Sequence, residues 1–87
     1  MAWVVYIVEC ADGSFYTGIT TDVVRRIDEH NHAKQGARYT RAKRPVNLVY
    51  SESAEDRSSA TKKEIAIKKL TRAQKLALIE SGAAGDP

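Results

Sequence analysis

Eighty-seven residues, 43% of them hydrophobic and 29% charged, suffice for one small globular domain and leave no room for two. A single cysteine, Cys10, excludes an internal disulfide framework and any multi-cysteine zinc site, so packing alone has to hold the chain together. The net charge of +3 is unevenly spread: residues 22–44 and 61–80 each sum to +4, while 1–21 and 45–60 each sum to −2, a pattern that suits a polyanionic partner if the two basic blocks converge.

In chain order, Trp3-Val4-Val5-Tyr6-Ile7-Val8 is β-branched and aromatic without strict alternation, which predicts a strand covered on both faces. Ala11-Asp12-Gly13 signals a turn, and Ser14 to Ile19 reads as the return strand of a hairpin. Gly18 in that strand marks a bulge or a close backbone approach by another group. Thr20-Thr21-Asp22 offers oxygens to cap a helix over residues 23–31, with Val23, Ile27 and His30 on one face. Residues 32–45 form a basic connection with no apolar period. A third strand covers Val46 to Tyr50 and runs on towards Ser51 and Glu52. Ser53 with Asp56 resembles a capping box opening a helix to about Leu70, and Thr71 with Gln74 repeats the signal for a shorter helix to about Ser81. Gly82 stops it, so residues 1–81 read as one domain and 82–87 as a short tail. This order gives a small α+β or mixed α/β layer, in which three strands offer one face for the helices to cover. No apolar stretch nears the length of a membrane span and no basic leader precedes one, so the expected setting is cytoplasmic, away from the membrane.

Several polar residues fall where apolar ones are expected. Ala60, Glu64 and Ile67 follow the i, i+4, i+7 pattern, placing a carboxylate on the stripe that should face the sheet. Such a group needs a cation, hydrogen-bond donors or a metal. Either it pairs with an arginine of the neighbouring helix or it ligates a metal at the rim of the core; a rotation turning Ile65 and Ala66 inward would instead expose it. Arg26 and His30 are i, i+4 neighbours, which a bound anion would explain, as against a solvated arginine beside a partly packed histidine. Arg25 is expected in solvent, and His32 has no spacing that recruits a second ligand. Tyr6 and Tyr16 can approach each other across the hairpin. They are either half-core residues with satisfied hydroxyls or proton-handling phenols, whose ordinary pKa of about 10 nearby cations and a metal would lower.

Taken together, these residues resemble the GIY-YIG nuclease superfamily in its small stand-alone form. Tyr6 closes Val4-Val5-Tyr6 at the first motif; Tyr16-Thr17-Gly18 stands at the second, ten residues on, and Arg26 follows ten residues after Tyr16. His30 in Glu29-His30-Asn31 and Glu64 in Lys63-Glu64-Ile65 match the family's helix positions, and residues 36–45 look like the basic signature of the small subfamily. The resemblance implies a three-stranded antiparallel sheet flanked by helices, an α+β fold. It implies metal-dependent hydrolysis of DNA phosphodiester bonds with weak sequence preference, in repair or recombination. Glu64 would hold Mg²⁺ or Mn²⁺, Arg26 would bind the scissile phosphate, and Tyr6 or Tyr16 would accept the proton of the attacking water. His30 would orient that water or relay its proton. Arg38, Arg41, Lys43 and Arg44 would contact backbone phosphates of duplex, branched or nicked DNA, with a protein partner supplying specificity. Two alternatives stay open: a non-catalytic DNA- or RNA-binding accessory module, and a fold whose polar cluster is only ion pairs.

Overall fold

The computed structural model describes residues 2–32 and 43–81. Strand β1 (Trp3–Glu9) is the centre of a three-stranded antiparallel sheet, with β2 (Phe15–Thr20) on one side and β3 (Asn47–Ala54) on the other. Because successive side chains alternate in direction, β1 serves two cores at once. Val5 and Ile7 meet Tyr50 and, from α2 (Arg57–Lys68) and α3 (Arg72–Glu80), Ile67, Leu78 and Ile79. Tyr6 and Val8 point the other way, where Val23 and Ile27 of α1 (Val23–His32) pack over them beside Cys10 and Val46. The fold is α+β, but helices cover both faces of the sheet and not the single face expected. A strand whose residues are apolar on both sides has no face to give to water.

Local signals explain most element ends. The hairpin turns at Gly13, whose φ of 85° suits a residue without a Cβ, and Asp12 accepts from the amide and hydroxyl of Ser14 at 3.0 and 2.6 Å. Asp22 caps α1 by accepting from the Arg25 amide at 3.1 Å, and Thr71 and Gln74 form the expected reciprocal capping box of α3. The start of α2 differs from expectation. Ser53 lies within β3, paired opposite Val4, and Asp56 is itself the cap, accepting from the Ser59 amide at 2.8 Å. Pairing along the full length of β1 draws β3 out to Ala54 opposite Trp3, past the point where its sequence turns polar. A shift of register at Ile7/Val8 leaves Val49 as an extra residue, and Val49 packs with Tyr50 against the α2–α3 core.

The path from α1 to β3 is clamped by two side chains. Asn31 accepts from the Val46 amide at 2.7 Å and donates to the Val46 carbonyl at 3.1 Å, acting as one more rung of backbone pairing. Arg44 donates to the carbonyls of His30 and Glu29. The last carbonyls of a helix lack intrahelical partners and attract cations, so Arg44, expected on DNA phosphates, is engaged in closing α1. Lys43 pairs with Asp12 at 3.4 Å. Arg38, Arg41 and the tail of residues 82–87 lie outside the described residues. Among the described residues no helix is long and apolar enough to cross a membrane.

Candidate active site

Tyr6 stands opposite Gly18 in the β1–β2 pair. A Cβ on Gly18 would lie 2.6 Å from the Tyr6 hydroxyl and 2.8 Å from the ring carbon that bears it. The missing side chain therefore leaves room for the phenol to lie across β2, and close approach is the reason for the glycine. Tyr16, paired opposite Val8, shares that face one diagonal away.

Into the space beside the two rings α1 delivers His30, which is fully buried. Its Nε2 is 2.8 Å from the Tyr6 hydroxyl, and its ring meets Tyr6 and Tyr16 edge-on with centroids 5.9 and 5.3 Å away. One turn earlier, Arg26 donates through Nη1 to Glu29 Oε1 at 3.0 Å, and its positive charge acts on the Tyr6 phenol. At 2.8 Å one proton lies between the Tyr6 oxygen and His30 Nε2, and the imidazole tautomer sets which of the two donates. Arg25 is exposed as expected and pairs with Glu29 at 3.2 Å. His32 is exposed too, 3.8 Å from Asp28.

The electrostatics correct one expectation. Burial pushes the Tyr6 phenol up to about 12, outweighing the downward pull of Arg26; the neighbouring cation does not lower it on balance. Burial, followed by the positive charge of Arg26, pushes His30 down to about 4, with Arg44 adding to the effect and Glu29 opposing it. At neutral pH the pair is thus a neutral phenol bonded to a neutral imidazole.

A stability change with pH follows. The unfolded histidine titrates near 6.5 and the native one near 4, so between those values the unfolded chain binds the extra proton. The contribution of buried His30 is complete above pH 6.5 and is lost as pH falls towards 4, on the order of 3 kcal/mol in all. Denaturant midpoints recorded from pH 7 to pH 4 should fall less steeply in His30→Gln than in wild type. Equal slopes would show that His30 titrates normally.

Glu64 arrives from α2. Ala60 is fully buried and Ile67 nearly so, while Ile65 is 48% exposed, so the helix is rotated as the stripe implies. The Glu64 side chain is only 19% exposed, and its charge raises the Tyr6 phenol, as a lesser effect than burial. Its ion-pair partner is Lys68 of the same helix at 3.5 Å, not an arginine of a neighbouring one. With Lys68 itself 54% exposed, an i, i+4 pair of this kind is worth about 0.5 kcal/mol or less and exchanges readily.

Among the described residues no three His, Cys, Asp or Glu side chains gather as a metal cage. A lone, largely buried carboxylate with an exchangeable lysine does fit Mg²⁺ or Mn²⁺, which retain waters and take further oxygens from a phosphate. Glu29 was not singled out by its sequence position, although its spacing from Arg25 and Arg26 carried the signal. Its carboxyl is held below the usual range, chiefly by Arg26, and it fixes the direction of that guanidinium.

With this geometry in view, comparison with known proteins is specific. Residues 2–77 match the family model described as the GIY-YIG catalytic domain. The chain is 57% identical to a UPF0213 protein of Desulfotalea psychrophila, covering 97% of this chain and 76% of that one. It is 55% identical to a UPF0213 protein of Halobacterium salinarum, covering 85% and 95%. Solution NMR structures of a UPF0213 protein from Bacillus halodurans (TM-score 0.61, 42% identity, 95% of this chain and 87% of that one) and of a protein from E. faecalis (TM-score 0.64, 47% identity, 93% and 85%) share its architecture.

Proposed function

The chain belongs to the GIY-YIG family of nucleases, and on that premise we propose that it is a metal-dependent DNA endonuclease of weak sequence preference. The observation that carries this reading is the Tyr6–His30 hydrogen bond, with the charges of Arg26 and Glu64 both acting on the same phenol. A Mg²⁺ or Mn²⁺ ion held by Glu64 supplies charge stabilisation at the phosphate and the leaving oxygen. Arg26 binds the scissile phosphate, aimed by Glu29, and offsets the charge that builds up there. Tyr6 accepts a proton from the attacking water as its own proton passes to His30 Nε2, leaving a neutral phenol and an imidazolium. The phenol need never exist as phenolate, which suits a group raised to about 12. A phosphodiester anion beside Arg26 offsets a positive charge that depresses His30, raising the proton affinity of the imidazole when substrate is present. Tyr16 braces the imidazole edge.

Duplex, branched or nicked DNA in repair or recombination is the proposed substrate setting, in the cytoplasm, with a partner protein supplying selection that so small a surface lacks. Incubation with supercoiled plasmid and with branched, flapped and nicked duplexes tests the reading. Nicking that requires Mg²⁺ or Mn²⁺ and stops with chelator is expected. Binding across the panel without cleavage would make the protein a DNA-binding module instead.

A further inference from the structure

Of the residues expected to grip DNA, Lys43 is paired with Asp12 and Arg44 with the end of α1, while Arg38 and Arg41 lie outside the described residues. The second basic block behaves differently. Lys68, Lys69, Arg72 and Lys75 stand at the corner where α2 gives way to α3. Among the described residues Lys69, Arg72 and Lys75 make no ion pair. The capping box of α3 closes with the neutral Gln74, and the first turn of that helix carries no acid. Glu9, opposite Phe15 in the β1–β2 pair, forms no ion pair with Arg72.

Arg72 is also held in place. Its guanidinium lies over the Phe15 ring at 4.6 Å. Stacking of this kind fixes the plane of an arginine while leaving donors free for a phosphate. Phe15 packs on the sheet face that carries α2 and α3, and Lys68 is the ion-pair partner of Glu64. The corner therefore adjoins the candidate active site through Lys68 and Glu64.

We propose that this α2–α3 corner holds the sugar-phosphate backbone of the DNA strand adjoining the bond to be cleaved. Arg72 on Phe15 is the fixed contact, and Lys68 stands beside it, paired with the carboxylate that would hold the cation. Phosphate contacts position a nucleic acid without reading its sequence, in keeping with weak specificity. The proposal rests on the nuclease reading for its choice of DNA.

Fluorescence anisotropy with a labelled duplex in chelator, across a salt series, tests it independently of cleavage. Lys69→Gln, Arg72→Gln and Lys75→Gln should each weaken binding to unrelated sequences alike and reduce the slope of log affinity against log salt by about one contact's worth. Lys62→Gln removes the same charge two turns back along α2, about 10 Å from Lys69 and near Asp56 at the start of the helix, and should leave the slope at the wild-type value. Lys69 and Lys75 make no ion pair whose loss could disturb folding, so their variants stay informative if Arg72→Gln is unstable. Slopes unchanged in all three corner variants, or reduced equally by Lys62→Gln, overturn the proposal. If wild type also nicks DNA, that result leaves the nuclease reading standing. Failure of wild type to bind DNA at all would remove both.

Discussion

Glu64→Ala should reduce metal-dependent nicking by about 10³-fold or more while leaving the fold and metal-free DNA binding intact. The loss is large because charge stabilisation by a bound cation is worth several kcal/mol in the transition state, and among the described residues no cluster of acids could replace this carboxylate. The fold should survive because Glu64 makes only an exchangeable pair with Lys68, and removing an acid from a cationic surface does not oppose DNA. Wild-type nicking by the purified variant would move the metal elsewhere. Loss of nicking together with a lowered melting temperature would assign Glu64 a structural role.

Gly18→Ala should be destabilising out of proportion to one methyl group. The new Cβ would fall 2.6 Å from an oxygen and 2.8 Å from a ring carbon of Tyr6, and that ring is almost fully buried and bonded to His30. Forced overpacking of this sort costs about 1–3 kcal/mol, a drop of roughly 4–8 °C in melting temperature for each kcal/mol in a domain of this size. The displaced phenol would also leave His30 Nε2, so activity should fall with stability. In a Tyr6→Leu background the same substitution should cost much less, because the clashing atoms are gone. A melting temperature equal to wild type for Gly18→Ala alone would mean that the phenol does not cross β2 at this point.

How much of this was legible in the chain depends on the distance over which each feature is determined. Trp3 to Val8 announced a strand buried on both sides through side-chain type alone, and Thr71 with Gln74 announced a helix start through a three-residue spacing. Tyr6, Tyr16, Arg26, His30 and Glu64 stood out as candidates because their order and spacing resemble those of the GIY-YIG family. What escaped was set by contacts between distant segments. The extension of β3 through Ser51, Glu52 and Ser53 is imposed by pairing with β1, and Glu52 is accommodated by a hydrogen bond from Tyr50 and an ion pair with Lys63 of α2. Asn31 reaching Val46 and Arg44 reaching His30 are contacts between residues far apart in the chain, which no local pattern announces. The burial that outweighs the neighbouring cation at the Tyr6 phenol escaped for a related reason: the cation could be named from sequence, but the burial could not.

The central claim is that side chains from opposite faces of the sheet converge on one cation-binding site at β2. Titration of the protein with Mn²⁺, followed by paramagnetic broadening of its NMR resonances, addresses this directly. Broadening should centre on Glu64 and extend to Tyr6, Tyr16, Arg26 and His30, and it should vanish from the other four in Glu64→Ala. Broadening centred on Asp28, Glu55 or Glu80, with Tyr6 and His30 left sharp, would contradict the account.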